Sequence, residues 1–573
     1  MLIDIEVNGK IIKAKKEETI LSALQRNGLN VPTLCSMKDL MPTGACRMCA
    51  VEIEGFQGLI PACSFPVNGW MRIKTHSPRV VTARKTIVEL LLSNHPDDCL
   101  YCIRNGNCKL QNLAEEMNVH DRRFFGSKKK QKIDNSSPAI VREPDKCILC
   151  GRCVRYCDEV LGIAAIEFIR RGTHATIGPE FNKSLNNSTC IHCGQCIMNC
   201  PTGALHEKTS STKVSKAIYH PQKHVIAITD SAMAVSLAEE FGLRAGKDMS
   251  GIVNAALRAI GFDAVFDSAF GADLYVQELV YELQERKREG TKQPLLSGHC
   301  PAWMKHARQT SGNLPDDITT ALPPHHQLGR ILKTYYAEKK NIDPSDIFIV
   351  SLNTCTAKKE EITNNAYVNG GFPNIDVSMT TRETADFIKL HGIDIHQIEE
   401  ELTDLPFGMA STAGKIHTLA GGLTEAVIRN LFFSAKGREL RPPRITKLRN
   451  TKSIKEYLFK EGELQLKLIA VNGIKEAMEV MEEVRLGTRS ADFIEVLACR
   501  DGCIGGGGQP LRQPAENVKS RRKALYDIDN KGSINVAEKN PEIEELANRF
   551  LGAPGSKKRA TMLHIREIKK AAL

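Results

Sequence analysis

The chain lacks the features that would place it in a membrane or in an export pathway. No run of about 18 uncharged apolar residues occurs among its 573 residues, so we predict no membrane-spanning helix. The first residues, MLIDIEVNGK, alternate apolar and charged side chains and show no basic start before an apolar core. That pattern is unlike a signal peptide. We therefore expect a cytoplasmic protein without a membrane partner.

Nucleotide and nucleic-acid signatures are also missing. No convincing G-x-G-x-x-G follows a predicted strand, which argues against a flavin or nicotinamide site in this chain. The formal net charge is +11, but no nucleic-acid motif accompanies it. A basic surface is more often plain solvation than a nucleic-acid site, so we expect no nucleic-acid partner and a preference for an acidic protein partner.

The spacing of the cysteines is the most informative feature that is present. All nineteen cysteines fall into metal-ligand patterns, and fifteen of them lie in four groups within the first 200 residues. Disulfides would normally leave some thiols outside such spacings, and thiols kept as ligands fit a reducing cytoplasm. Cys300, Cys355, Cys499 and Cys503 are spread through the rest of the chain. The pattern predicts a row of small clusters leading to one larger metal site, and hence electron transfer.

A β-hairpin is predicted at residues 2–16, with its turn at Asn8-Gly9. A helix is predicted near residues 18–26, and the first cysteine group follows it. Its close Cys46-x-x-Cys49 pair suits zinc as well as iron. The hairpin, the helix and the glycine-containing ligand loop favour iron and resemble the β-grasp fold of plant-type [2Fe–2S] ferredoxins, although the first ligands are spaced more widely here. We predict a [2Fe–2S] domain at residues 1–79, with the ligands Cys35, Cys46, Cys49 and Cys63.

The second group follows a predicted helix at residues 81–92. It contains His95, Cys99, Cys102 and Cys108, and the histidine supplies a fourth ligand that is otherwise missing. Neutral imidazole in place of a thiolate removes negative charge and should raise the reduction potential. We predict a [4Fe–4S] domain at residues 80–125; the alternative is a three-cysteine site beside an unrelated histidine.

The third and fourth groups are two copies of the C-x2-C-x2-C-x3-C run of bacterial two-cluster ferredoxins, after a predicted linker at residues 126–138. In that arrangement the last cysteine of each run ligates the other cluster. We predict a domain at residues 126–209 with two [4Fe–4S] clusters. One set is Cys147, Cys150, Cys153 and Cys200, and the other is Cys190, Cys193, Cys196 and Cys157.

From about residue 210 predicted strands alternate with helices, which favours an α/β domain with a largely parallel sheet. We predict strands at 224–229, 263–267, 294–298, 347–352 and 493–498, and an N-cap at Ser250 for one helix. Ligands collect beyond the carboxyl ends of such strands, and three strands lead directly into Cys300, Cys355 and the Cys499/Cys503 pair. These four thiols are predicted to hold one buried [4Fe–4S] cluster.

Gly505 and Gly506 open a run of four glycines after Cys503. We predict that their bare backbone allows the close approach of a bulky cofactor. A glycine run by itself is more often a flexible loop.

The segments SGHCPAW (297–303), NTCTAKKEE (353–361) and FIEVLACRDGCIGGGGQP (493–510) resemble the three signature segments of the [FeFe]-hydrogenases. The resemblance covers the whole chain and is closest to the monomeric clostridial type. It implies an H-cluster domain at residues 210–573, in which Cys503 bridges a [4Fe–4S] cube to a diiron unit with CO, cyanide and a dithiolate. It also implies that Lys358 contacts a cyanide ligand.

The resemblance carries expectations about fold, activity and partners. The fold is an α/β and α+β multidomain assembly: β-grasp domain, small [4Fe–4S] domain, two-cluster ferredoxin domain and C-terminal α/β domain. The activity is 2H⁺ + 2e⁻ ⇌ H₂, with ferredoxin or a similar acidic carrier as electron partner. Hydrogenase maturation proteins would install the diiron unit.

The chain departs from the family pattern around the expected diiron pocket. A cysteine that relays protons is His299 here, and the next glutamate of the relay is Leu279, although the outer Glu282 remains. Imidazole exchanges protons readily, so His299 is either a working acid–base group or a space-filling residue. Leu279 cannot pass a proton onward, which predicts slow turnover. The other departures are Asp230, Ser231, His325, His326, Asn353, His417 and Leu497.

Three functions remain open. The first is a hydrogenase-type enzyme, slow because its proton relay is altered. The second is a non-catalytic H₂- or redox-sensing protein, which the absence of a visible PAS-like or kinase-like extension weakens. The third is an electron-transfer subunit for a nicotinamide-oxidising partner, since the N-terminal modules resemble the iron–sulfur subunits of respiratory NADH dehydrogenases. The four C-terminal cysteines argue against a plain electron carrier.

Overall fold

The structure is a computed structural model that describes residues 2–38, 40–128, 130–311, 317–440, 445–511 and 514–565. The chain divides into two compact units. Unit 1 comprises Met1–Cys190 and Gln195–His206, and unit 2 comprises Ile191–Gly194 and Glu207–Leu573. Within the described ranges, no helix is long and apolar enough to cross a membrane.

Among the described residues up to 207, the structure contains nine short strands and five α-helices. The strands are β1 (Leu2–Val7), β2 (Lys10–Lys15), β3 (Ala50–Ile53), β4 (Ile60–Pro61), β5 (Arg72–Lys74), β6 (Ile140–Arg142), β7 (Glu167–Ile169), β8 (Thr176–Gly178) and β9 (Leu205–Glu207). The helices are α1 (Ile20–Arg26), α2 (Pro78–Asn94), α3 (Lys109–Glu116), α4 (Arg152–Arg155) and α5 (Gln195–Asn199).

The N-terminal hairpin is confirmed and forms part of a five-stranded sheet in the order β2-β1-β5-β3-β4. Asn8 and Gly9 both have positive φ, 50° and 82°, as a tight hairpin turn requires. Helix α1 starts at Ile20 because the Thr19 side chain accepts a hydrogen bond from the Ser22 amide at 3.2 Å. The predicted β-grasp architecture, a sheet with one helix across it, follows from these elements.

The remainder of the chain contains ten strands and fifteen helices within the described residues. The strands are β10 (His224–Thr229), β11 (Ala264–Asp267), β12 (Leu295–Leu296), β13 (Ile347–Asn353), β14 (Val368–Asn369), β15 (Phe372–Pro373), β16 (Val377–Thr380), β17 (Ile454–Glu461), β18 (Leu464–Asn472) and β19 (Phe493–Leu497). The helices are α6 (Ser211–Ile218), α7 (Ser231–Leu237), α8 (Ser250–Ile260), α9 (Ser268–Arg288), α10 (Pro301–Ser311), α11 (Pro324–Ile331), α12 (Ala337–Lys340), α13 (Lys358–Glu361), α14 (Thr381–Leu390), α15 (Thr412–Ile416), α16 (Gly422–Lys436), α17 (Ile474–Arg485), α18 (Ala515–Lys531), α19 (Pro541–Leu546) and α20 (Lys557–Leu563).

Unit 2 is built on two four-stranded sheets instead of the single sheet that the strand pattern suggested. One sheet has the order β11-β10-β13-β16 and is parallel throughout. The other has the order β12-β19-β18-β17, and only its edge pair β17–β18 is antiparallel. The five predicted strands are confirmed, whereas β16 and the β17–β18 hairpin were missed.

The central strands of the parallel sheet are buried on both faces. Val350 and Leu352 of β13 belong to one apolar core, while Ile347 and Ile349 of the same strand belong to another. Continuous apolar strands of this kind are typical of α/β sheets that are covered by helices on both sides. The result is a rigid base from which the loops at the strand ends project.

The predicted N-cap at Ser250 was wrong. Ser250 is the first residue of α8, and Met249 occupies the cap position without a side-chain hydrogen bond. The oxygen Oδ1 of Asp248 accepts hydrogen bonds from the amide of Ser250 at 3.0 Å and from its hydroxyl at 2.6 Å. The Asp248 carboxylate, two residues before Ser250, therefore accepts the hydrogen bond at the start of α8 that the sequence pattern assigned to the serine side chain.

A buried charge network joins α18 to α16. Arg429 donates two parallel hydrogen bonds to the carboxylate of Asp529, both at 2.7 Å, and also pairs with Glu425. Arg449 donates to Glu425 at 2.6 Å and to Asp529 at 2.5 Å. Two positive and two negative charges thus neutralise one another away from water.

Replacing Arg429 by methionine should lower the free energy of unfolding of unit 2 by about 3–5 kcal/mol, since two buried carboxylates would share one remaining cation. Urea unfolding followed by circular dichroism measures the change. The control is Lys539→Met, which breaks an ion pair with Glu439 that is 46% and 30% exposed and should cost about 1 kcal/mol or less. Equal losses in the two variants would contradict this role of the network.

Candidate active site

The ends of three strands bring four cysteines to one cavity of about 670 Å³ in unit 2. Cys300 follows β12, Cys355 follows β13, and Cys499 and Cys503 follow β19. Cys193, which lies in the short segment Ile191–Gly194 of unit 2, lines the same cavity. The other lining residues are Asp230, Ser268, His299, Pro301, Ala302, Pro324, His325, Thr354, Lys358, His417, Thr418, Leu497, Ala498, Gly502 and Gly506.

Hydrogen bonds fix the loops that carry these thiols. The side-chain oxygen of Asn353 accepts from the Cys355 amide at 2.9 Å, and its amide group donates to the Ser378 hydroxyl at 2.9 Å. The Ala498 amide donates to the sulfur of Cys300 at 3.4 Å. Asn353, one of the departures from the family pattern, therefore ties the cysteine loop to strand β16 and does not line the cavity.

Burial makes these thiols poor acids when no cation is present. Desolvation raises the pKa of Cys355 to about 12 and raises the pKa values of Cys300 and Cys503. Metal ions are bound by thiolates, and a cation reverses this shift. Four cysteines around one cavity are a donor set suited to an iron–sulfur cube.

Lys358 lines the cavity together with these thiols, and its ammonium lies 4.0 Å from the carboxylate of Asp230. The other oxygen of that carboxylate accepts hydrogen bonds from the amides of Ala232 and Met233 at the start of α7. Asp230 is thus a helix cap as well as a negative charge facing the cavity. The side chain of Lys358 is only 13% exposed, so its positive charge is directed inward.

His299 is buried beside Cys300, and neither ring nitrogen has a hydrogen-bond partner among the residues that the structure describes. Desolvation, followed by the charges of His417 and Lys358, lowers the pKa of His299 to about 3. Its ring centroid lies 6.0 Å from that of Tyr275 and 6.5 Å from that of His417. A neutral imidazole with two free nitrogens therefore faces the cavity.

The predicted proton relay beyond His299 includes an apolar residue, Leu279, and an acid, Glu282. Leu279 is fully buried in an apolar core with Leu283 and Leu295. Glu282 accepts a hydrogen bond from the Thr319 hydroxyl at 2.7 Å, and burial raises the pKa of this glutamate. The side chain of Leu279 has no polar atom that could pass a proton, whereas Glu282 can carry one.

Sequence reasoning missed Thr319 and Glu278. Thr319 stands 37 residues from its partner Glu282 in a segment without a motif. Glu278, next to Leu279, is buried and pairs with Arg559 and with His564 at 2.9 Å. Only the three-dimensional fold brings Arg559 and His564, near the C-terminal end of the described chain, to this helix.

The two glycines predicted to approach a cofactor differ in position. Gly506 lines the cavity, and Gly505 is not among the lining residues that are described. A Cβ atom on Gly506 would lie 2.4 Å from the carbonyl oxygen of Thr354. Close packing of two backbones therefore explains this glycine, and the approach of a cofactor remains a prediction.

In unit 1, the first cysteine group is brought together. The Cys46 amide donates a hydrogen bond to the sulfur of Cys35 at 3.5 Å, and the titrations of Cys35, Cys49 and Cys63 influence one another. The neighbouring thiol of Cys63 lowers the pKa of Cys49 to about 7. Four neighbouring cysteines suit a small cluster.

His95 is 8% exposed, and its Nε2 atom has no hydrogen-bond partner in the described part of the chain. Its Nδ1 atom lies 3.1 Å from the carbonyl oxygen of Pro96. A bond from Nδ1–H to a carbonyl leaves Nε2 with a free lone pair, as a metal-ligating histidine needs. Nearby, Cys108 is buried and Cys99 is exposed.

Cys147, Cys150, Cys153 and Cys200 line one cavity of about 460 Å³ in unit 1. The last cysteine of the second run thus joins three cysteines of the first run. Apolar residues such as Ile148, Ile166 and Ile177 complete the wall. The other predicted set, Cys157, Cys190, Cys193 and Cys196, has members in both units, and its assignment stays a prediction.

Five known protein families match successive parts of the chain. The iron-only hydrogenase large subunit, C-terminal domain, matches residues 223–507, and the iron hydrogenase small subunit matches 515–566. A 2Fe-2S iron–sulfur cluster binding domain matches 1–78. The NADH-ubiquinone oxidoreductase-G iron–sulfur binding region matches 84–123, and the ferredoxin-like domain of NADH-quinone oxidoreductase subunit 3 matches 137–206. The predicted multidomain fold class is confirmed.

Two curated relatives match nearly the entire chain. The NADP-reducing hydrogenase subunit HndD of Solidesulfovibrio fructosivorans is 35% identical over 100% of both chains. Iron hydrogenase 1 of Clostridium pasteurianum is 31% identical over 98% of this chain and 99% of its own.

Among solved structures, an apo [FeFe]-hydrogenase from Chlamydomonas reinhardtii superposes with a TM-score of 0.55 at 27% identity. The match covers 62% of this chain and 98% of that one. The resemblance read from the three signature segments is confirmed. This chain, an iron–sulfur oxidoreductase with 2Fe-2S, 4Fe-4S and H-cluster types of domain, belongs to the iron-only hydrogenase family.

Proposed function

We propose that the chain interconverts protons, electrons and H₂ at an H-cluster in unit 2, with slow turnover. The observation that carries this proposal is the single cavity where Cys300, Cys355, Cys499 and Cys503 meet Lys358. The four thiols would hold a [4Fe–4S] cube, and Cys503 would also bridge to a diiron unit. When bound, that unit supplies the redox chemistry that interconverts protons and H₂.

The surrounding side chains would position the group and move protons. Lys358 would donate a charge-assisted hydrogen bond to an anionic ligand, and Gly506, preceded by Gly505, would leave room beside the cluster. His299 would accept or donate the proton nearest to the metal, and Glu282 would exchange protons with solvent. Because Leu279 separates these groups, proton delivery limits the rate in this proposal.

The N-terminal cysteines would carry the electrons. One [2Fe–2S] cluster on Cys35, Cys46, Cys49 and Cys63 and three accessory [4Fe–4S] clusters follow from the ligand sets predicted above. His95 would replace one thiolate and raise the potential of its cluster. Maturation proteins would install the diiron unit in a cytoplasmic protein.

Two electron partners are supported by different observations. The net charge of +11 favours an acidic carrier such as ferredoxin, which we propose as the partner. The relative from Solidesulfovibrio fructosivorans is named as a subunit of an NADP-reducing hydrogenase, which favours a nicotinamide-linked partner subunit as the second candidate. No nucleotide-binding motif was found in the sequence, so that candidate requires another chain.

Infrared and rate measurements on the anaerobically matured chain test the proposed function. We expect bands from CO and cyanide, together with slow H₂ evolution from reduced methyl viologen. Bands without evolution would favour the non-catalytic H₂- or redox-sensing protein. The absence of both would contradict the proposal.

A Cys35→Ser variant tests the electron route. If the [2Fe–2S] cluster receives electrons from the carrier, H₂ evolution from reduced ferredoxin should fall about tenfold or more, while evolution from methyl viologen, a small dye that can reach inner clusters, should stay nearly unchanged. Ferredoxin titrations of both proteins measure the ratio. Equal losses with the two donors would count against entry at this cluster.

A further inference from the structure

A second group of potential metal ligands lies beside the cysteine cavity. His325 and His326 stand at the start of α11, and Glu361 closes α13. One ligand atom from each of the three residues lies within 4.8 Å of the other two. All three residues are buried, with 1%, 0% and 3% exposure.

The polar atoms of this group are unsatisfied. Nε2 of His325, both ring nitrogens of His326 and both carboxylate oxygens of Glu361 lack a hydrogen bond of acceptable geometry to any described residue. Buried polar groups without partners cost about 1–3 kcal/mol each, and more when charged. A bound ligand that is not an amino acid would satisfy these grouped donors and acceptors.

Two of the distances between these atoms are close to those between the ligands of a metal ion. Nε2 of His325 lies 3.1 Å from Oε2 of Glu361, and Nε2 of His326 lies 3.7 Å from the same oxygen. Ligands about 2.1 Å from zinc are about 3.4 Å apart in a tetrahedron and about 3.0 Å apart in an octahedron. A hydrogen-bonded ion pair would instead have aligned donors.

The surroundings hold the rings in place. The ring of His326 stacks on Tyr367 with centroids 4.1 Å apart and an angle of 10°. His325 lines the cysteine cavity together with Lys358. Burial disfavours the charged imidazolium, and the neutral ring is the form that binds metals.

We propose that His325, His326 and Glu361 bind one divalent transition-metal ion of the zinc or iron(II) class. Two imidazoles and one carboxylate suit either ion. Three protein ligands leave at least one coordination position for water or a small molecule. Since His325 borders the cavity, the proposed metal site is next to the proposed H₂ site, but it does not depend on the proposed function.

Metal counting on the full chain with its iron–sulfur clusters tests this proposal. Protein is dialysed anaerobically against micromolar zinc, and zinc and iron per chain are measured by mass spectrometry. Wild type should bind one zinc more per chain than His326→Gln or Glu361→Gln, at equal iron content. The control is His220→Gln, at an exposed histidine, and it should bind as much zinc as wild type.

X-ray absorption at the zinc edge of the wild-type protein gives a second measurement that needs no variant. We expect only nitrogen and oxygen ligands, at about 2.0–2.2 Å. Sulfur ligands at about 2.3 Å would place zinc on cysteines and overturn the proposal, as would equal zinc in wild type and both ligand variants. Because neither readout involves H₂, failure of this site is distinguishable from failure of the hydrogenase function.

Discussion

Cys503→Ser should abolish H₂ turnover, with a loss of at least about 10⁴-fold if Cys503 is the only protein ligand to the diiron unit. Cys503 lines the cavity together with the other three cysteines, and its amide donates to the carbonyl oxygen of Thr418 at 2.9 Å, which fixes the loop. Serine has a similar size, but its hydroxyl binds soft metal centres poorly. Infrared spectra after maturation should lose the CO and cyanide bands together with the activity.

The matched control is Cys63→Ser, which removes a predicted ligand of the first group in unit 1. It should spare the infrared bands and lower only the electron flow from ferredoxin. If Cys503→Ser retained both bands and turnover, the bridging role assigned to Cys503 would be wrong. If Cys63→Ser also removed the bands, the loss in Cys503→Ser would reflect general destabilisation of the protein and would not support a specific role for Cys503.

Restoring the relay should have the second largest effect. The double variant His299→Cys with Leu279→Glu is expected to raise H₂ evolution about 10²–10⁴-fold, the usual contribution of one positioned acid–base group. The thiol would occupy the position of the buried, unbonded imidazole of His299. The carboxyl group would supply an acid at position 279 of the proposed relay, before Glu282 and its partner Thr319.

The single variants and an isosteric control separate proton transfer from packing. His299→Cys alone should gain little, because Leu279 still interrupts the route. His299→Cys with Leu279→Gln has nearly the same shape as the double variant but no acid, and it should also gain little. Steady-state rates with reduced methyl viologen give the comparison. An equal gain in the glutamine variant would show that side-chain shape, and not proton transfer, causes the faster H₂ evolution. That result would contradict the relay.

Much of the fold could be predicted because its signals are local in sequence. The Asn8-Gly9 turn, the apolar runs of β10, β13 and β19, and the cysteine spacings each occupy a few consecutive residues. The hairpin β17–β18 was missed because its first strand, IKEYLFKE, carries four charged residues and lies at a sheet edge. An edge strand exposes one side to water, so its apolar signal is weak.

The parts of the site that could not be predicted depend on contacts between distant residues. Glu361 lies 36 and 35 positions from its histidine neighbours, which places it outside any ligand spacing. Thr319 meets Glu282 only because the loop before α11 returns to α9. Asn353 was taken as a change within the pocket, whereas its side chain is a structural tie to Ser378. Such roles are set by packing and leave no pattern along the chain.

Iron counting tests the central assignment most directly. Wild type and a variant with serine at positions 300, 355, 499 and 503 are reconstituted anaerobically without maturation proteins, and the iron per chain is measured. The assignment predicts about four fewer iron atoms in the variant, the content of one [4Fe–4S] cube. Equal iron in the two proteins would contradict it, because the four replaced cysteines would then hold no cluster.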